Sequence, residues 1–437
     1  MAQAAIGIDF GTTNTVLALI GPDGEPVLAS FPAEPAPVEA FRSALSFHPD
    51  PDDERARIIE AGPRAIEAYV EEPLETRLIQ SFKSYAASPH FQETRILGRR
   101  YAFEDMLSAF LLRMRAYAPE TLGAAPRLAI VGRPVRFAGL EADDELALSR
   151  YRTAFERLGF EQVRHAFEPV AAAFFYARRL ESDAVVLVGD FGGGTSDFSI
   201  ARFRRIGGEI RAEALANAGV DVAGDAFDYR IIDNVVSPEL GKGSCYRAFD
   251  RVLPTPNRWY AAFARWEQLA LLRASSDMRD IRRLVRDALE PKKIARLVEI
   301  LDRNLGYRLY QSVSRLKQDL SVLTEADFRF EAGSIRLERH VLRTEFEAWV
   351  APELAAIEGA LDQALARAGL SEAGIDRVFL TGGSSFVPAV RALFEARFGA
   401  HRIDGGSELV SIASGLALMG LEQDLEAWSR PLAHDAI

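Results

Sequence analysis

Short apolar runs alternate with longer segments of helical spacing through the first part of the chain. Ile6–Asp9, Arg127–Gly132 and Val163–Phe167 are apolar runs of strand length, so they predict buried strands. Phe103–Ala118 has the spacing of an amphipathic helix, and Pro169–Arg178 predicts a helix with proline in its first turn. This alternation predicts a mostly parallel sheet with helices on both faces.

The same alternation begins again near residue 184 and indicates a second lobe. Ala184–Val188, Thr195–Arg202, Ile210–Asn217 and Arg377–Thr381 predict its strands. Hairpins are expected around Gly21–Gly24 and Ala332–Gly333, and further helices at Gly224–Val235, Leu305–Val322, Phe346–Leu365 and Glu408–Gly420.

The repetition predicts two lobes and a short tail. Lobe I is expected at residues 1–180, lobe II at 181–420, and the tail at 421–437. Between about 236 and 305 the sequence is charged, rich in arginine and without strand alternation. This stretch therefore predicts a helical insertion in lobe II.

Composition and charge limit the classes of function. The 437 residues, 48% of them hydrophobic, are enough for two or three domains of an ordinary globular protein. The net charge of -11 argues against a general nucleic-acid binder, whose phosphate contacts need a basic surface. No apolar run reaches the roughly 18 residues of a membrane span, and the N-terminus lacks the basic start of a secretory signal. Together with a single cysteine, Cys245, this favours a cytoplasmic protein without membrane partners.

Two glycine-containing turns, 181 residues apart (Asp9 to Asp190), carry the strongest chemical signal. Gly7–Thr15 reads Gly-Ile-Asp-Phe-Gly-Thr-Thr-Asn-Thr, and Gly189–Asp197 reads Gly-Asp-Phe-Gly-Gly-Gly-Thr-Ser-Asp. Glycine lets backbone N–H groups approach an anion, and three successive glycines cost about 1 kcal/mol each in backbone entropy, so a ligand is expected close to them. The two turns predict lobes that face one nucleotide phosphate chain. A P-loop is excluded, because no Gly-x-x-x-x-Gly-Lys-Ser/Thr run occurs.

The aspartates inside these turns indicate a metal. Two like charges at ~4 Å repel by about 1–4 kcal/mol, so a carboxylate beside phosphate needs a cation between them. Mg²⁺ takes phosphate oxygens and carboxylates, often through its own waters. We therefore expect Mg²⁺ near Asp9, Asp190 and Asp197. A third turn, Gly382-Gly383-Ser384, lies between a strand and a helix and predicts a seat for phosphate or ribose.

With these turns in hand, the chain resembles the actin-like ATPase superfamily, and most closely the ATPase domain of the DnaK-type (seventy-kilodalton heat-shock) chaperones. The likeness runs from about Ala5 to Gly420. It is carried by Ile6–Thr15 and Val188–Ile200 (phosphate motifs), Phe379–Pro388 (adenosine motif), Phe167–Ala173 (connecting segment), Gly224–Asp228, and two stretches more particular to the chaperones, Ile96–Arg100 and Leu342–Glu347. The resemblance implies an α/β, two-lobed actin-like ATPase fold with duplicated ribonuclease-H-like sheets.

The resemblance also implies roles for individual residues. Catalytic roles fall to Lys83, Glu168, Asp190, Thr195 and Asp197, and Asp9, Asp190 and Asp197 would hold Mg²⁺ through water. ATP or ADP would be bound by Asp9, Gly11, Thr12, Thr13, Gly192, Gly193, Gly194, Thr195, Gly224, Asp225, Lys317, Ser321, Gly382, Gly383, Ser384 and Phe386. Pro134 would couple nucleotide state to the lobes.

Some positions depart from the family pattern. Gln318 stands where arginine usually stacks on adenine, Ser314 replaces a glutamate, and Phe386 replaces an arginine, so the adenine pocket is expected to differ. The peptide-binding domain of the chaperones has no counterpart in the sequence, which resembles the short, YegD-like members.

The leading hypothesis is an ATP-binding, slowly hydrolysing nucleotide switch of the chaperone type with an unknown protein partner. An actin-like filament protein, a small-molecule kinase of the same superfamily and a variant that binds ATP without hydrolysis remain alternatives.

Overall fold

The computed structural model describes residues 5–421 in two compact units. Short gaps in this description fall at 34–35, 54–55, 123–126, 135–136, 138, 140, 179–181, 207–208, 265–267, 270–271, 274 and 405–409. Unit 1 draws its described residues from Met1–Asp221, Ile357–Ser385 and Ala392–Ile437, and unit 2 from Val222–Ala356 and Phe386–Arg391. The division into lobes at residue 180 stays a prediction, and residues 422–437 of the expected tail lie outside the described residues.

Strands and helices are distributed along the whole described chain. The strands are Ala5–Phe10 (β1), Asn14–Ile20 (β2), Pro26–Leu28 (β3), Phe41–Arg42 (β4), Ala44–Pro49 (β5), Arg57–Ala61 (β6), Arg77–Gln80 (β7), Thr94–Ile96 (β8), Arg99–Tyr101 (β9), Leu128–Arg133 (β10), Gln162–Phe167 (β11), Ala184–Phe191 (β12), Ser196–Ile206 (β13), Glu209–Val220 (β14), Cys245–Ala248 (β15), Arg251–Pro254 (β16), Glu325–Ala332 (β17), Ile335–Leu342 (β18), Arg377–Thr381 (β19) and Ile403–Asp404 (β20). The α-helices are Pro63–Glu71 (α1), Phe103–Tyr117 (α2), Pro119–Leu122 (α3), Asp144–Arg157 (α4), Glu168–Ala177 (α5), Gly224–Ile231 (α6), Arg258–Ala261 (α7), Asp277–Asp287 (α8), Pro291–Asp302 (α9), Gly306–Val322 (α10), Arg343–Ala368 (α11), Pro388–Phe398 (α12) and Ser411–Met419 (α13).

A mixed sheet in the order β11-β10-β1-β2-β3 forms one part of unit 1. β10 pairs in parallel with β1 and β11, whereas β2 pairs antiparallel with β1, β3 and β4. The prediction of a mostly parallel sheet is therefore wrong. The physical reason is that the turn after β1 is too short for the crossover that a parallel neighbour requires. The chain therefore returns antiparallel beside β1, as a hairpin.

A second sheet in unit 1, in the order β14-β13-β12-β19-β20, repeats this strand–turn–strand arrangement. β12 pairs antiparallel with β13 across the second glycine turn and in parallel with β19. The mixed α/β fold is thus as predicted, with the duplicated turn in corresponding places of two sheets.

Two helices connect the sheets of unit 1. α13 packs on β1, β2 and β10, α5 packs on β12 and β13, and the two helices pack against each other. Every residue of α13 is buried, and Gly7 and Gly415 bring its backbone close to β1 and α5. The face of the first sheet opposite α13 is covered by a hydrophobic core. α2 contributes Phe110 to this core, and α4 contributes Tyr151 and Phe155.

Unit 2 is largely helical and carries two hairpins. α6 continues into a π-helical turn, Ile232–Val236, where the sequence predicted an α-helix to Val235. β17 and β18 form the predicted hairpin, whose inward residues alternate with exposed ones. The predicted insertion is helical for much of its described length, but it also contains the β15–β16 hairpin, which the sequence analysis missed because all of β16 is exposed and shows no alternation.

Among the described helices, none combines the length and apolar character that crossing a lipid bilayer requires.

Candidate active site

The two glycine turns of unit 1 have the same internal hydrogen bond. Gly11 N donates to Asn14 O at 3.0 Å, and Gly192 N donates to Thr195 O at 3.0 Å. The sequence similarity between the turns therefore corresponds to the same backbone geometry.

Two serine hydroxyls hold these turns from outside. Ser43 Oγ donates to Gly11 O at 2.7 Å and also bonds the Thr15 hydroxyl at 3.0 Å. Ser384 Oγ donates to Gly192 O at 2.9 Å. Ser384 was predicted as a nucleotide ligand, and here its hydroxyl fixes the second turn. Ser43 was missed, since nothing in its local sequence marks it.

Four carboxylates interact with one another beside the two glycine turns: Asp9, Glu168, Asp190 and Asp197. We call them the acid cluster. Burial, followed by repulsion from Glu168, raises the pKa of Asp9 to about 7, against an opposing effect of Lys83. Burial likewise raises the pKa of Asp197 to about 7. The pKa of Asp190 lies well above its ordinary value because of burial and the charges of Glu168, Asp9 and Asp197. The structure thus brings Asp9 and Asp190 into one site, as the sequence predicted.

Lys83 faces the acid cluster as a buried cation. It lies on a 3₁₀ turn, Phe82–Tyr85, and its Nζ is 2.6 Å from Oε1 of Glu168, the first residue of α5. Both side chains are almost fully buried, at 8% and 7% exposed. Burial by itself would lower the pKa of Lys83, but the carboxylates of Glu168 and Asp9 outweigh it and raise the pKa overall. The lysine is therefore charged at neutral pH.

The remaining predicted residues of unit 1 lie in or beside the three glycine turns. Thr195 Oγ1 donates to Asp197 Oδ2 at 2.9 Å, which opposes the rise in the carboxyl pKa. Asp197 lies opposite Asp190 in the β12–β13 pair. Gly382 has a φ of +82°, and a Cβ there would lie 2.9 Å from Asp190 Oδ1. The third turn therefore reaches the second, as only glycine permits. Thr12, Thr13, Gly193, Gly194 and Gly383 lie in these three turns.

The charge balance of the cluster fits a divalent cation. Repulsion among the carboxylates contributes to the raised pKa values of Asp9, Asp190 and Asp197, and Lys83 offsets it only in part. Within the described residues no three acid, histidine or cysteine side chains are arranged to ligate a metal directly. The cluster is instead suited to bind the waters of a hydrated Mg²⁺. This assignment stays a prediction.

A second group of predicted residues lies in unit 2. Lys317 Nζ is 2.9 Å from Asp228 Oδ1 and donates to Gly224 O at 3.2 Å. Ser321 Oγ donates to Lys317 O at 2.8 Å, and Asp225 is exposed in the first turn of α6. The structure therefore joins α6 and α10 through the lysine. Phe386, also of unit 2, is 52% exposed.

Arg133 is a buried residue beside the site that the sequence analysis did not select. It pairs with Asp144 and lies over the rings of Phe137 and Phe167, at 5.5 and 4.8 Å. The signal that could have found it is its position at the end of β10, the parallel neighbour of β1. Pro134 follows it directly.

A comparison with models of known protein families finds a match. A family model described as Hsp70 protein matches residues 76–243 and 283–420, which is well over half of the chain. The matched stretches contain Lys83, Glu168, Asp190, Asp197 and the Gly382 turn, whereas the β15–β16 hairpin lies outside them.

Proposed function

Because the chain belongs to the Hsp70 family, we propose that it binds ATP with Mg²⁺ and hydrolyses it slowly, as a nucleotide-dependent switch. The family consists of nucleotide-binding ATPases of the chaperone type. The observation that carries the proposal is the acid cluster of unit 1, in which the charge of Asp9 contributes to the raised pKa of Asp190 beside the buried Lys83–Glu168 pair.

The residues of unit 1 supply three kinds of interaction in this proposal. Backbone N–H groups of the glycine turns bind phosphate oxygens. The Lys83 ammonium stabilises the charge that builds up on the transferred phosphoryl group, since a fixed cation in a buried site needs no reorganisation. Glu168 and Asp197 orient the attacking water, and Thr195 holds Asp197 in place. Bound Mg²⁺ would neutralise phosphate charge.

In unit 2, we assign contacts with adenosine to Lys317, Ser321, Gly224, Asp225 and Phe386. The side chain of Gln318 is exposed on α10, where the family pattern has an arginine. An uncharged amide stacks on an aromatic base less effectively than a guanidinium does, and it donates fewer hydrogen bonds. We therefore propose that the protein discriminates less strongly between adenine and other bases than the chaperones do.

Removal of Lys83, or of one carboxylate of the acid cluster, tests the assignment. Lys83→Ala and Asp190→Ala are each expected to lower kcat for ATP hydrolysis by about 100- to 1000-fold. Circular dichroism should show that both variants remain folded. Lys292→Ala is the matched control, because this lysine is exposed in unit 2 and its loss should leave kcat unchanged. Wild-type turnover in Lys83→Ala or Asp190→Ala would contradict the proposed roles.

Calorimetry with ATP, ADP and GTP, with and without Mg²⁺, separates the alternatives further. The proposal expects Mg²⁺-dependent binding of ATP. ATP-dependent pelleting would instead favour a filament protein, and transfer of the phosphoryl group to a panel of sugars would favour a kinase.

A further inference from the structure

Tyr151 is a fully buried side chain that packs against the first glycine turn. It belongs to α4, and its ring meets the ring of Phe10 edge-on at 5.7 Å. The ring of Phe103 stacks on it at 6.1 Å, and Phe137 contacts it at 5.9 Å. Phe10 lies between Asp9 and Gly11, so Tyr151 is held next to the turn that carries the first aspartate of the acid cluster.

The hydroxyl of Tyr151 has no hydrogen-bond partner among the described residues. An unpaired hydroxyl removed from water costs free energy, whereas phenylalanine would fill the same space without that cost. The hydroxyl is therefore better explained by a partner that arrives with a ligand than by packing alone.

Several charged groups of the site interact electrostatically with the phenol. Besides burial, which raises the pKa of Tyr151, the groups that influence it are Lys83, Glu168 and Asp9, followed by Arg133. Lys83 Nζ lies 6.0 Å from the centroid of the Phe10 ring, which Tyr151 also contacts. The hydroxyl thus lies within electrostatic range of the acid cluster, and it stays protonated at neutral pH.

A neighbouring half-buried residue, His165, behaves differently. Both ring nitrogens of His165 also lack a partner among the described residues, and its ring lies 6.2 Å from that of Tyr151. Its pKa is lowered to about 4, first by burial and then by Arg152 and Arg133, and the acid cluster does not contribute. Of the two, only Tyr151 shows an electrostatic interaction with the acid cluster.

We propose that the Tyr151 hydroxyl donates a hydrogen bond to an oxygen of the terminal phosphate of bound ATP. This inference rests on the proposed function and adds a residue that distinguishes ATP from ADP. The acid cluster is rich in acceptors, and an entering phosphate brings more of them. A neutral O–H donor therefore fits here, because it can bind a phosphate oxygen without adding charge.

The test is the ratio of the ATP and ADP dissociation constants in Tyr151→Phe. We expect the dissociation constant for Mg²⁺-ATP to rise about 10-fold or more, as for the loss of a hydrogen bond to a charged group, while that for Mg²⁺-ADP stays within about twofold. Without nucleotide, the variant should be at least as stable as the wild type, because it loses no internal hydrogen bond. A purely structural role would instead lower stability or change both constants equally.

Tyr260→Phe is the matched control. Tyr260 is also fully buried, but it lies in unit 2 and its hydroxyl donates to Leu240 O at 3.1 Å. This variant should lose stability and keep the ATP-to-ADP ratio. A wild-type ratio in Tyr151→Phe, in a protein that binds ATP normally, would overturn this inference alone. No ATP binding by the wild type would overturn it together with the proposed function.

Discussion

Gly382 shows how a single residue sets the approach of two glycine turns. Its φ is +82°, and a Cβ at this position would lie 2.6 Å from the carbonyl carbon of Phe191. Backbone atoms cannot move aside as the end of a flexible side chain can. The close contact between the third and second turns therefore depends on this glycine.

We expect Gly382→Ala to lower the free energy of unfolding of the nucleotide-free protein by about 1–3 kcal/mol, through strain and overlap. Gly383→Ala is the neighbouring control, because a Cβ at Gly383 meets no atom within 4 Å and should be tolerated. Urea denaturation measures both. Equal stability of the two variants would contradict the packing argument.

Single residues also show which parts of the site were predictable. Asp9, Asp190 and Asp197 lie in a local motif, so the sequence indicated them directly. Ser43 bonds Thr15 across 28 positions, and Arg133 and Tyr151 approach the site from other elements. No local sequence pattern marks Ser43, Arg133 or Tyr151, because only their proximity in the folded protein relates them to the turns.

At the scale of elements, α13 depends on small residues for its place between the sheets. Gly415 lies so close to α5 that a Cβ would be 2.6 Å from the carbonyl carbon of Ala171. The sequence predicted a small-residue helix here, and the structure gives the reason for the small residues.

Two helical glycines offer a matched comparison at this scale. Gly415→Ala should destabilise the protein by at least about 1–3 kcal/mol, because the methyl group overlaps the α5 backbone. Gly359→Ala, in α11, should be neutral or stabilising by up to about 1 kcal/mol, since its Cβ position is open and alanine favours the helix. Thermal unfolding would show a lower Tm only for the first, and the reverse order would refute the proposed contact.

The elements missed by sequence reasoning have a common cause. Strand direction in the first sheet is set by which strands meet, and β1 meets both its hairpin partner β2 and the parallel strand β10. The β15–β16 hairpin has a strand exposed along its whole length, so no hydrophobic face marks it in the sequence. Periodicity reports burial, and it gives no information on pairing direction or on exposed strands.

At the scale of the whole molecule, two carboxyl groups of the acid cluster link stability to pH. The pKa of Asp9 and of Asp197 is raised from 3.8 to about 7 in the folded protein. The folded state therefore holds these protons more tightly than the unfolded state does. The stability contributed by the protonated carboxyls of Asp9 and Asp197 is fully present below pH 3.8, and it is lost as the pH rises to about 7.

We expect the stability of the nucleotide-free protein to decrease through this pH range, and Asp197→Asn to reduce the decrease because an amide does not ionise. Urea denaturation at several pH values, without Mg²⁺, measures the slope. Glu156→Gln, at an exposed position on α4, is the control and should keep the wild-type slope. An unchanged slope in Asp197→Asn would show that the Asp197 carboxyl is not the cause.

The sequence by itself determined most strands of the two large sheets, most of the longer helices and the two repeated turns, because burial and backbone conformation leave local patterns in hydrophobicity and glycine placement. It also indicated the family, through motifs that are continuous in the chain. Only the tertiary structure decided the mixed strand directions, the Lys83–Glu168 pair across 85 positions, and the place of Tyr151 against the first turn. Those features depend on which distant segments meet, and that is fixed by the packing of the whole core around α5 and α13.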